Sequence, residues 1–234
     1  YVALRPEARR WGETTTTAVD RLADGTPPAE AGVPDRPTDG AAMRAAPLGV
    51  WWAARDLDRE AAFEAIRPVL AVTHRHPAAL AAGWGQAVAV HTLLGWTPDA
   101  FDRAAFWERL VDATAWAEGR LDGDDRVSGR LEALADHLDA FPLNLGDACD
   151  GVGVRADEAW PFACAMVARR AHLLENTLLS GINVGGDADT TGAMMGAMLG
   201  ALHGWSAFPD EWGEGLEAFD RLEAEARALA GTLS

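Results

Sequence analysis

Lysine is absent from this chain. Its 20 basic residues are all arginine, and 36 acidic residues outweigh them for a formal charge of -16 at pH 7. That balance excludes an electrostatic nucleic-acid surface, which needs cations clustered on one face. Cysteine is scarce: Cys149 and Cys164 are too few for a disulfide framework and lack metal-type spacing, so a reducing, cytoplasmic setting is expected. No basic-plus-apolar leader opens the sequence. Strand-like alternation is nearly missing, which argues against a sheet. The longest apolar run, from Thr190 to Phe208, carries Gly192, Gly196, Gly200 and Gly204 at four-residue spacing. Such a stripe also lets membrane helices touch. This run is barely long enough to span a bilayer, contains His203 and starts beside two aspartates, so no membrane span is expected. The expectation is instead a central, buried helix over Thr190 to Gly204, with its glycines pressed against a neighbour.

What is present is helical periodicity in a chain of 234 residues, 49% of them hydrophobic. One domain, 1–234, with a substantial core is expected. Val127, Leu131, Leu134, Leu138 and Phe141 mark one face at steps of four and three, and Phe106, Leu110, Ala113 and Ala117 mark another. Further helices are predicted over Leu57 to Val72, Pro77 to Leu94, Asp157 to His172 and Leu216 to Ala230. Pro77 suits a first helical turn, and Pro68 and Pro161 kink or delimit theirs. The longest irregular region, Asp24 to Gly40, leads into TDGAAMRAAP from Thr38 to Pro47. Long loops in compact helical domains are often functional.

The run Val184-Gly185-Gly186-Asp187-Ala188-Asp189-Thr190-Thr191-Gly192 concentrates chemistry before an apolar helix. Glycine pairs reach positive φ, while Asp and Thr oxygens are hard donors suited to Mg²⁺ or Mn²⁺. Capping of the helix by Asp189 or Thr190 accounts for the same residues equally well. Asp187-Ala188-Asp189 also matches the D-x-D of glycosyltransferases, but those folds need parallel strands. Asp147 and Asp150 sit in a glycine-rich loop, Gly146 to Gly153, that either faces a site or simply turns. Arg44 is read as a buttress of its loop rather than a phosphate clamp.

Taken with Thr73-His74-Arg75-His76-Pro77, Asp157-Glu158-Ala159-Trp160-Pro161-Phe162-Ala163 and the segment Gly204 to Trp212, these stretches resemble the ADP-ribosylglycohydrolase family. Its members show a G-N/S-G-x-A-M-R loop, a T-H pair opening a helix, an E-x-x-P-x-A helix start and a G-G-D-x-D-T run. Order and spacing agree from about Arg10 to Trp212. The resemblance implies an all-α, compact orthogonal multi-helix bundle. It also implies a two-magnesium site, with Mn²⁺ as a substitute, that holds the distal ribose of ADP-ribose and hydrolyses its bond to a protein or small-molecule acceptor. Asp187, Asp189 and Thr190 match metal ligands of that family. Asp39, Gly40, Ala41 and Met43 match its phosphate- and ribose-touching loop, and His74 matches a substrate-contacting histidine.

Two departures stand out. The family's opening G-x-x-x-G-D segment and its T-D-D-T run, which supplies the other half of the metal ligands, are not found in the sequence, so the chain is expected to lack that N-terminal segment. Two carboxylates and a hydroxyl alone would hold Mg²⁺ weakly. Thr38-Asp39 replaces Gly-Asn or Gly-Ser, placing an extra negative charge where a diphosphate is expected. The resemblance therefore implies a magnesium-dependent hydrolase of an ADP-ribosyl or related ribosyl bond, with an inactive ADP-ribose-binding or structural relative as the alternative. It assigns no general acid or base to these residues.

Overall fold

The structure, a computed structural model, describes residues 1–231; the last three residues of the expected 1–234 domain lie outside the described residues. The first half comprises α1 (Glu13–Ala23), α2 (Pro28–Ala31), α3 (Gly40–Met43), α4 (Ala46–Ala53), α5 (Arg59–Ala71), α6 (Pro77–Leu94) and α7 (Arg103–Arg120). The second comprises α8 (Arg126–Leu134), α9 (Pro142–Ala148), α10 (Ala156–Arg170), α11 (Leu174–Ile182), α12 (Ala188–His203), α13 (Asp210–Glu214) and α14 (Phe219–Gly231). Among the described residues there are no strands, only two isolated bridges. The all-α expectation holds, and no described helix is long and apolar enough to cross a membrane.

The centre of the molecule is α6, not α12. Pro77 opens α6, where its missing N–H costs nothing, and the His76 Nδ1 atom accepts from the Ala78 N–H at 3.1 Å. From Ala78 to Leu93 every residue but His91 is buried. A helix apolar on all sides belongs inside, and α3, α4, α5, α7, α10 and α12 all pack on it. Small Ala and Gly side chains let those neighbours approach its backbone. Gln86, fully buried, ties three of the helices together: its amide donates to the Met194 carbonyl at 3.1 Å and accepts from the Trp160 indole at 2.9 Å.

α12 departs from expectation. It buries one face, Thr190, Thr191, Met194, Met195, Met198, Leu199 and Leu202. The glycine stripe lies outside that face: a Cβ at Gly192 would stand 3.1 Å from Ile182 and one at Gly200 3.6 Å from Phe208, but one at Gly196 would meet nothing within 4 Å. Methionines, long and flexible, fill the contact expected of the glycines. Pro68 and Pro161 lie inside α5 and α10 rather than ending them. Phe141, expected in the core, is 65% exposed because the chain turns after α8, leaving Val127, Leu131, Leu134 and Leu138 buried without it.

Candidate functional site

Three segments far apart in sequence are drawn to one place by backbone hydrogen bonds. The irregular region before α3 is held on one side by a bridge of Val33 to His74, with the Val33 N–H donating to the Thr73 carbonyl at 3.0 Å and the Arg75 N–H donating to the Val33 carbonyl at 2.9 Å. On its other side the Asp39 N–H donates to the Val154 carbonyl at 3.0 Å, and the Ala156 N–H donates to the Pro37 carbonyl at 2.8 Å. The same glycine-rich loop receives the Asp187 N–H on the Val152 carbonyl at 2.8 Å. The end of the loop Gly146 to Gly153, which either faced a site or turned, together with the adjoining Val154 is therefore the clasp between Asp39 and Asp187. Asp150, Gly151 and Val152 all take positive φ there, and for the β-branched Val152, at 58°, this is strained backbone. Only the glycine content hinted at this role in the sequence.

Gly185 and Gly186 supply the positive φ predicted for them, 91° and 70°, and a Cβ on Gly186 would collide with the Val152 carbonyl. The turn places Asp187 at the mouth of α12, where its side chain makes no capping hydrogen bond. Asp187 instead meets two other carboxyls, Asp39 and Asp189. Asp39 is 5% exposed, and its Oδ2 atom is buried without a hydrogen-bond partner among the described residues. Burial first, and the neighbouring Asp187 second, push the Asp39 carboxyl up to about 8, which favours its protonated form near neutral pH. The extra negative charge expected from its place in the loop is thereby disfavoured. Burial and the adjacent Asp189 raise Asp187, while the hydrogen bond with Asp187 lowers the exposed Asp189, which Arg10 also favours as an anion.

Thr190 closes the link between loop and helix, its Oγ1 atom lying 3.6 Å from the Met43 sulfur. Gly40, Ala41 and Met43 form the short helix α3 immediately after Asp39, with Ala41 buried and Met43 exposed. His74 lies against that helix: a Cβ on Gly40 would stand 2.8 Å from the His74 Cε1 and Nε2 atoms, so only glycine fits. The imidazole is 1% exposed, and burial, aided by Arg44, lowers its pKa to about 4. Its Nδ1 atom is 2.8 Å from the Thr73 hydroxyl, which accepts from Arg44 Nη2 at 2.7 Å. Arg44 also donates to the carbonyls of Val69 at 3.2 Å and Leu70 at 2.8 Å, the buttress expected of it.

Asp39, Gly40, Ala41, Met43, His74, Asp187, Asp189 and Thr190 thus share one neighbourhood in which two short links, Asp39 to Asp187 and Met43 to Thr190, join the first segment to the third. A family model described as ADP-ribosylglycohydrolase matches residues 2–234. The chain belongs to the ADP-ribosylglycohydrolase family. It is 29% identical over 230 residues to the uncharacterized protein YegU of Escherichia coli, covering 94% of this chain and 66% of that protein. It is 30% identical over 114 residues to the ADP-ribosylhydrolase ARH3 of Mus musculus, 44% of this chain and 31% of that one. A solved structure described as an ADP-ribosylglycohydrolase-related protein complex superposes with a TM-score of 0.75 at 26% identity, covering all of this chain and 72% of the other. The chain spans about two thirds of the length of the relatives it matches from end to end.

Whether the residues gathered here suit magnesium follows from their chemistry. Asp187, Asp189 and Thr190 offer hard oxygens, and a dication would relieve the crowding that raises Asp39 and Asp187. Among the described residues no three His, Cys, Asp or Glu side chains are grouped to hold a metal ion. The donors fit in kind and are fewer than an octahedral shell needs.

Proposed function

We propose that this chain binds the ADP-ribosyl group and takes part in hydrolysing its glycosidic bond to an acceptor, in a magnesium-dependent reaction. The observation that carries the reading is the meeting of Asp39 with Asp187 across 148 residues of chain, beside a glycine-backed imidazole. Asp187, Asp189 and Thr190 would hold the metal, whose chemistry is to fix sugar hydroxyls and acidify water. Gly40 and Ala41 bring backbone close to a ligand, Met43 closes one wall, and His74, neutral at physiological pH, offers a hydrogen bond rather than a charge. The clasp at Val152 and Val154 keeps loop and helix mouth in register without adding a side chain to the site.

One observation favours the second reading, an ADP-ribose binder that does not turn over: the two carboxylates and one hydroxyl fall short of a full magnesium shell. Calorimetric titration with ADP-ribose, with and without Mg²⁺, and assay on ADP-ribosylated peptide decide between them. Binding that strengthens with Mg²⁺ and falls at least tenfold in Asp187→Ala is expected. Binding indifferent to both would sink the metal assignment, and no binding under either condition would sink the ADP-ribose reading.

A further inference from the structure

We infer that Thr73 is a positioning residue that fixes the tautomer of His74, presenting an Nε2–H donor to an oxygen of the bound ligand. The inference follows from counting protons. A guanidinium can only donate, so the bond from Arg44 Nη2 at 2.7 Å occupies a lone pair of the Thr73 hydroxyl and leaves its proton to be placed elsewhere. Thr73 is fully buried, and the one other partner of its hydroxyl among the described residues is the His74 Nδ1 atom at 2.8 Å. Were Nδ1 protonated, the hydroxyl proton would have no acceptor, a buried loss that the alternative avoids. The hydroxyl therefore donates to Nδ1, and the neutral ring carries its proton on Nε2.

That second nitrogen has no protein partner among the described residues. It lies on the ring edge packed against Gly40, one residue from Asp39, so close that a Cβ there would stand 2.8 Å from it. A lone N–H in this position selects a group that can accept, such as a phosphate oxygen or a ribose hydroxyl, over a ligand group that can only donate. Arg44 serves the site at one remove: it saturates the hydroxyl, whose proton orients the ring, while it anchors the end of α5.

The inference rests on the reading of His74 as a substrate contact, and the test separates the two. Nitrogen-15 NMR of the His74 ring in the free protein reports which nitrogen is protonated. An Nε2–H ring is expected in the wild type and in Thr73→Ser, and a mixture of tautomers in Thr73→Val, which keeps the shape and loses the donor. ADP-ribose binding is expected to weaken about five- to tenfold in Thr73→Val and to recover in Thr73→Ser. An Nδ1–H ring in the wild type overturns the inference whether or not any variant folds, as does an unchanged tautomer in Thr73→Val. If the Nε2–H tautomer stands but saturating ADP-ribose leaves the ring resonances unmoved, the substrate reading fails and the positioning role of Thr73 survives.

Discussion

Gly40 and His74 touch because one of them has no side chain. A methyl group at Gly40 would stand 2.8 Å from two ring atoms, and the ring, 1% exposed, has little room to retreat. Gly40→Ala is expected to destabilise the protein by about 1–3 kcal/mol, read by chemical denaturation, and to weaken ADP-ribose binding with it. A wild-type denaturation midpoint would show that the ring yields freely. His74 also makes stability depend on pH in a definite direction. Its folded pKa is depressed to about 4 from the ordinary 6.5, so between those values the unfolded chain binds the proton and the folded one does not. The stabilisation is complete above about 6.5 and is lost as pH falls to about 4. It amounts to roughly 3 kcal/mol at most. The difference in melting temperature between wild type and His74→Gln should therefore change with pH inside that window and be level above it; a constant difference throughout would refute a buried neutral imidazole.

At the scale of the element, α12 shows how composition misleads about orientation. A helix without charge beyond its first turn and with a four-residue glycine stripe reads as packed through the stripe, yet the face buried beyond that turn is methionine and leucine. Gly196 faces open space, so Gly196→Leu is expected to be neutral or to stabilise by up to about 1 kcal/mol through helix propensity. Met195→Ala, one residue away on the fully buried side, should cost roughly 2–5 kcal/mol. Thermal melts of the two variants check the assignment of faces, and a reversal of their order would mean that the helix is rotated.

On the scale of the whole molecule, Gln86 is, among the described residues, the one side chain that hydrogen-bonds to two other helices of the core at once, joining α6 to α10 and α12. Gln86→Met preserves volume and leaves the fully buried Trp160 indole without its acceptor. A loss of about 1–3 kcal/mol is expected in chemical denaturation. Because α12 carries Asp187 and Asp189 at its mouth and α6 follows His74, the same variant should loosen ADP-ribose binding although it touches no site residue. Unaltered affinity alongside lost stability would show that the clasp at Val152 and Val154 positions the site without help from the core.

Helix content, the span of α6 and the chemistry-bearing segments were legible in the sequence, because periodicity, caps and glycine pairs act within a few residues of themselves. Pro77 opens α6 where a proline can, and Gly185 and Gly186 take the φ values only glycine takes easily. The motifs named Asp39, His74 and Asp187, and the family resemblance tied them together. Only the tertiary structure decided which helix is central, which face of α12 is buried, and that the Asp39 carboxyl is pushed up. Each of those depends on what packs alongside, and packing is set by residues more than a hundred positions away: Met194 against Gln86, Asp187 against Asp39. The tautomer of His74 belongs to the same class. Its partner Thr73 is adjacent in sequence, but the direction of the proton between them is set by Arg44, which reaches the pair only once the loop before α3 has folded back on α5.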